Sequence, residues 1–201
     1  MIGQITRNQM FGDLLYQYAK SPKVETIVEI GTWNGMGSTK CIIDGLLERE
    51  NNNYTFITIE LYPEQYQQAM INLKNVITPN IKLLNGRIID YDEAFWFDHS
   101  VLNMSDPHAS LWYKRDMEYL KTEANVINQL PPKIDLLVLD GGEYTTYPEY
   151  RKLKDRCSII ALDDTSILKC SKIRQELLEG GYRVVCDNPT ERNGWAIFQL
   201  K

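Results

Sequence analysis

The chain has 201 residues, 43% hydrophobic and 24% charged, the profile of an ordinary globular protein with one sizeable core. Its net charge of −5 argues against a nucleic-acid partner, since phosphate contacts need clustered Lys and Arg. No apolar run approaches the ~20 residues that span a bilayer, and residues 1–11 are too polar for a signal peptide. Cys41, Cys157, Cys170 and Cys186 show no C-x-x-C spacing. They are expected to be reduced, mostly buried thiols of a cytoplasmic protein, not a disulfide framework or zinc site. A single domain over 1–201 is expected. Both a homo-oligomer and one domain of a longer protein are compatible with these features.

Residues 6–20 are expected to form a helix with Phe11, Leu14, Leu15 and Tyr18 on one side. Residues 24–29 are β-branched and apolar and end at a glycine, a first strand, followed by a helix over 37–50. A second strand over 54–60 leads to a helix opened by Pro63, with Tyr66, Met70, Leu73 and Ile77 at helical spacing. Residues 81–84 give a short third strand. The stretch 88–132 is too long for a simple connection and is read as an aromatic-rich insert or lid carrying Phe95, Trp96, Phe97, His99, His108, Trp112 and Tyr113, then a helix to about Gln129. Residues 134–139, nearly all apolar, are a strand covered on both faces, and 158–162 are the fifth. Asp164, Thr165 and Ser166 offer caps for a helix closed by Gly180 and Gly181. Strands over 182–186 and 195–200, with the Asn193–Gly194 turn between them, predict an antiparallel pair at the end of the chain. This alternation specifies an α/β fold with a mostly parallel sheet of seven strands, an antiparallel last strand and helices on both faces.

Between the first strand and its helix lie Gly31, Gly35 and Gly37. Glycines let a backbone turn sharply and approach a ligand, and a helix start offers unpaired N–H groups to an anion. A dinucleotide fingerprint needs G-x-G-x-x-G, but Trp33 stands where the second glycine would admit a pyrophosphate. That counts against an NAD(P)-dependent oxidoreductase. The pattern Glu29-x-Gly31-x-x-x-Gly35, with Glu60 ending the second strand, resembles the first motifs of the S-adenosylmethionine-dependent methyltransferases with a Rossmann-like sheet. The resemblance implies that Glu29, Gly31, Thr32, Asn34, Gly35 and Ser38 hold the methionine part of the cofactor and that Glu60 accepts the ribose hydroxyls. It implies that Gly86 and Arg87 lie near the adenine.

The fourth and fifth strands end in acids: Asp140, with Glu143 three residues on, and Asp163 with Asp164. Ligand crevices of open α/β sheets lie outside the carboxyl ends of the strands, and adjacent strands are about 4.8 Å apart, so these acids should converge. Carboxylates that close repel unless a cation binds or protons are shared, and hard oxygen ligands suit Mg²⁺ or Mn²⁺. The competing reading is that Asp163 or Asp164 only caps the next helix. The segments resemble those of metal-dependent sugar O-methyltransferases of macrolide biosynthesis and their cephalosporin-hydroxylase-like relatives, over about residues 26–185. In that group these acids hold Mg²⁺, which assigns Asp140, Asp163 and Asp164 as ligands here. The group commonly has D-G-x-H at the fourth strand, with His as base; Glu143 stands at that place. Glu143, with Asp140 beside it, is therefore the expected catalytic pair, and His99 or His108 are alternative bases. The implied acceptor is a small molecule or glycan: a sugar hydroxyl, as on a deoxyhexose such as rhamnose, or alternatively a catechol. A catalytically silent cofactor-binding module is the alternative from another class.

Overall fold

The computed structural model describes residues 4–97 and 107–201. Seven strands form one sheet in the order β3-β2-β1-β4-β5-β7-β6. They are β1 (Thr26–Ile30), β2 (Thr55–Glu60), β3 (Ile81–Asn85), β4 (Ile134–Leu139), β5 (Cys157–Asp163), β6 (Tyr182–Asn188) and β7 (Trp195–Leu200). All neighbours pair in parallel except β7, which runs antiparallel to β5 and β6. The α/β architecture and the antiparallel last strand are as expected from the sequence.

Helices α1 (Met10–Lys20), α2 (Ser38–Leu47) and α3 (Pro63–Leu73) follow in chain order, then α4 (Pro107–Thr122), α5 (Thr146–Leu153) and α6 (Leu168–Glu179). Two apolar clusters lie on opposite faces of the sheet. One joins Val28, Ile57, Leu137 and Ile160 to Met117 of α4, Tyr150 of α5 and Ile173 of α6. The other joins Ile27, Phe56, Leu136 and Ile159 to Leu15 of α1, Ile42 of α2 and Leu73 of α3. Alternate residues of each central strand therefore serve opposite cores, which explains their continuous apolar runs.

Several boundaries differ from the sequence reading. Helix α4 stops at Thr122, short of Gln129, and a 3₁₀ turn over Ile127–Gln129 follows. The stretch 144–153 holds a helix, α5, that polar and proline-containing residues hide from a periodicity search. Its Tyr147 and Tyr150, with Tyr144 before it, are buried in the core. Asp164 and Ser166 do not cap α6: its N-cap position is Ile167, and no side chain caps it. At the other end Gly180 occupies the C-cap, as expected. His99 lies outside the described residues. Cys41, Cys157 and Cys170 are buried free thiols. No described helix is long and apolar enough to cross a membrane.

Candidate active site

The strand order reverses between β1 and β4, from which the chain proceeds outward in opposite directions. Their carboxyl ends flank the crevice where such sheets bind ligands. Two adjoining recesses occupy it. One, of about 290 Å³, is lined by residues that include Gly31, Glu60, Gly86, Asp140, Glu143 and Lys169. The other, of about 410 Å³, is lined by residues that include Gly31, Thr32, Ser38, Asp140, Asp164 and Arg192.

The β1–α2 loop makes the floor. Gly31 has φ 97°, in the left-handed region. A Cβ there would lie 2.1 Å from the Asp140 carbonyl oxygen, so no side chain fits. Trp33 also has positive φ (51°), an uncommon conformation for a bulky residue. Its N–H donates to Glu60 Oε2 at 2.6 Å, and the Tyr62 N–H donates to Glu60 Oε1 at 2.9 Å. Burial pushes the Glu60 carboxyl up to about 7 despite these two donors. Glu60 thus ties the loop to the end of β2 and keeps lone pairs toward the recess.

Of the residues expected at the cofactor, Gly31, Thr32, Ser38, Glu60 and Gly86 line the recesses. The others are turned to structural work. Glu29 is fully buried, and its Oε2 accepts the Thr39 and Thr58 hydroxyls, each at 2.6 Å. Asn34 Oδ1 accepts Gln4 Nε2 at 2.7 Å and the Met36 N–H at 3.0 Å, fastening the N-terminal segment to the loop. Gly35 backs onto Leu73 of α3, where a Cβ would come within 2.7 Å. Arg87 donates to the Glu123 and Ile89 carbonyls and pairs with Asp90, which ties the exit of β3 to the end of α4.

The acids do converge. Register sets Leu139 beside Leu162, so Asp140 follows β4 where Asp163 ends β5. One oxygen each of Asp140, Asp163 and Asp164 lies within 4.8 Å of the others. Two cations that the sequence reading missed already face them. Lys169 Nζ lies 2.7 Å from Asp140 Oδ1 and 2.6 Å from Asp164 Oδ2. Arg192 Nη2 lies 2.9 Å from Asp163 Oδ2. Burial works against the Lys169 charge, but Asp140, Asp164 and Asp163 outweigh it and hold the ammonium protonated above the usual lysine range. Burial likewise raises Asp164, but the Lys169 charge and hydrogen bond prevail and leave it below the usual range. Asp164 and Arg192 both have positive φ (58° and 57°), so the β5 exit and the turn before β7 are bent to bring these groups together. Three carboxylates suit a divalent ion in number and type. An ion bound to Asp140 and Asp164 must, however, enter the gap that the Lys169 ammonium fills, so the donor set with Lys169 in place does not fit one.

Lys169 carried one signal that sequence alone offers: it stands in the first turn of α6, where a cation opposes the helix dipole. Two more acids escaped notice. Asp116 of α4 and Glu149 of α5 line the first recess while almost wholly buried. Asp116 accepts the Tyr62 hydroxyl at 2.5 Å. Asp116 Oδ2 and Glu149 Oε2 have no hydrogen-bond partner among the described residues. Burial raises Asp116 to about 6 and Glu149 to about 8. Glu143 lines the same recess, half-buried, and burial raises its carboxyl too. Trp33, Tyr62 and Trp112 form an aromatic group beside it, with centroids 5.9–6.5 Å apart. His108 is exposed and does not line either recess.

No family model matches the chain. A curated relative, the tRNA1(Val) (adenine(37)-N6)-methyltransferase of Actinobacillus pleuropneumoniae, is 26% identical over 174 residues, covering 85% of this chain and 70% of the relative. Among solved structures, an O-methyltransferase of Bacillus cereus in complex with S-adenosylhomocysteine superposes with TM-score 0.63 at 12% identity, over 100% of this chain and 84% of that one. An S-adenosylhomocysteine-bound methyltransferase of Podospora anserina gives TM-score 0.61 at 15% identity, over 94% of this chain and 77% of that one. A caffeoyl-CoA O-methyltransferase-like protein of Staphylococcus aureus gives 0.59 at 14% identity, over 96% and 84%. Relatives by sequence and neighbours by structure are alike methyltransferases, and the chain has their Rossmann-like fold.

Proposed function

We propose that this chain, with the fold of the S-adenosylmethionine-dependent methyltransferases, is an O-methyltransferase whose acceptor is a sugar hydroxyl. The observation that carries the reading is Glu60, held by the Trp33 and Tyr62 N–H groups at the rim of the recess floored by Gly31. A carboxylate so fixed suits the two ribose hydroxyls, and the open backbone at Gly31, Thr32 and Ser38 suits the methionine part. In this reading the sulfonium methyl points toward Asp140 and Glu143, which line the same recess. The acceptor oxygen then attacks the methyl carbon in line as the carbon–sulfur bond breaks and its electron pair returns to sulfur. Glu143, its affinity for a proton raised by burial, takes the hydroxyl proton. No step here runs through Mg²⁺, the ion that the family resemblance implies, because Lys169 stands among its would-be ligands.

The choice of acceptor rests on the resemblance and on the walls. Trp33, Tyr62 and Trp112 offer ring faces to the apolar side of a sugar or a catechol. The curated relative's name favours a second reading, a tRNA adenine. Against it, Glu60, Asp116, Asp140, Glu143, Glu149 and Asp164 line the first recess with Lys169 as the one basic residue among the described lining. Such a lining offers a phosphate backbone no cluster of Lys and Arg in that recess. Transfer of a labelled methyl from the cofactor to a panel of deoxyhexosides, catechols and tRNA tests the reading. Label in a deoxyhexoside, lost in Glu143→Gln, is the expected result; label in tRNA alone would overturn the sugar assignment.

A further inference from the structure

The three acids at the ends of β4 and β5 form the position in which the resemblance places a divalent ion. Each of them already has a cationic partner within 3 Å: Lys169 on Asp140 and Asp164, Arg192 on Asp163. Lys169 is 6% exposed and reaches the cluster from the first turn of α6, against the helix dipole. A buried cation in that place persists only where carboxylates compensate it. An ammonium has three N–H donors. Two are directed at Asp140 and Asp164, and Lys169 also lines the recess that holds Glu143 and Glu60.

We propose that the Lys169 ammonium takes the place of the divalent ion, so that this chain binds no metal at Asp140, Asp163 and Asp164 and anchors the acceptor hydroxyl through the third Lys169 N–H. The proposal rests on the methyltransferase reading for the nature of the acceptor, but the claim about the metal stands apart from it. In the reaction Lys169 keeps its proton throughout. It donates a hydrogen bond to the acceptor oxygen and stabilises the negative charge that grows there as the O–H proton passes to Glu143. The oxygen forms its bond to the methyl carbon, the carbon–sulfur bond breaks, and the sulfonium becomes a neutral thioether. Charge is conserved with no metal and no redox partner. Asp140 and Asp164 are then positioning residues that aim the ammonium, and Arg192 keeps Asp163 out of competition for it.

Mn²⁺ titration followed by electron paramagnetic resonance, with S-adenosylhomocysteine present, tests the metal claim without any acceptor. The expected result is a free-Mn²⁺ signal undiminished by wild-type protein and diminished by Lys169→Ala, in which three carboxylates face an emptied gap. Bound Mn²⁺ in the wild type that disappears in Asp163→Asn overturns the proposal, and this comparison needs no Lys169 variant to fold. Calorimetry of S-adenosylhomocysteine on the same sample separates the two readings: absent binding there would fell the methyltransferase assignment and leave the Mn²⁺ result to judge Lys169. With an acceptor from the panel, Lys169→Met should lower kcat about 100-fold in EDTA, the usual cost of one lost donor to a developing oxyanion. An unchanged kcat overturns the acceptor contact.

Discussion

Glu60 carries most of the cofactor argument, and it does so as an acceptor. Both its oxygens take backbone N–H groups, from Trp33 and Tyr62, so the same carboxylate orders the loop and lines the recess proposed for the cofactor. Replacing it with Gln turns one oxygen into a donor that points at an N–H. That mismatch costs stability, and the loss of a charged acceptor for a ribose hydroxyl, worth about 1.5–3 kcal/mol, should weaken S-adenosylhomocysteine by about 10-fold or more in a calorimetric titration of Glu60→Gln. Unchanged affinity would mean that Glu60 only shapes the loop. The place of Gly31 and Glu60 at the recess was legible because a glycine after one strand and an acid at the end of the next each mark a strand end in the sequence. Asp116, Glu149 and Lys169 left none of that kind: they come from three helices, and only the fold brings them to one recess. Glu29 shows the reverse. It matches the motif, yet its oxygen serves Thr39 and Thr58 inside the core.

At the scale of elements, strands were the most legible. The apolar runs at 134–139 and 195–200 match β4 and β7 to the residue, because all but Asp135 in the first and all but Gln199 in the second are apolar and most are buried. Helix α5 was hidden: its TYPEYRKL sequence has low mean hydrophobic content, and burial of its tyrosines comes from tertiary packing. At the β5 exit the convergence of the acids was legible, but the expected cap was not formed, because Asp164 faces Lys169 and Asn193 instead of capping α6. The antiparallel β7 anchors this end. Its Trp195 is fully buried and stacks on Phe11 of α1 at 5.2 Å, joining the last strand to the first helix. Trp195 Nε1 also donates to Glu191 Oε2 at 2.7 Å, within the turn that carries Arg192. Trp195→Ala should cost about 3–5 kcal/mol in urea unfolding, as truncation of a core aromatic does. A loss within the ~0.5 kcal/mol usual for surface sites would show that α1 does not depend on β7.

For the whole molecule, the acid-rich recess sets an unusual response to pH. Glu60, Asp116 and Glu149 are raised by burial to about 7, 6 and 8, above their ordinary values near 4. In the window between those limits the folded chain holds protons that the unfolded chain has released. Stability due to these groups is therefore fully present below about pH 4, is lost as pH rises through 6, 7 and 8, and levels off above that. The melting temperature of the ligand-free protein should fall from pH 6 to pH 8.5 in a buffer series at constant ionic strength. A rise over that range would mean that the three carboxyls are not buried as described.

In the proposed reading, one cleft at the β1–β4 switch point holds S-adenosylmethionine on one side and an ammonium-centred acid cluster on the other. A crystal structure with S-adenosylhomocysteine, grown in Mg²⁺, tests it most directly. The expected result is the amino-acid part along Gly31–Ser38, the ribose hydroxyls on Glu60, and Lys169 Nζ still on Asp140 and Asp164. A ligand seated away from Glu60, or Mg²⁺ on Asp140, Asp163 and Asp164 with Lys169 swung out, would contradict it.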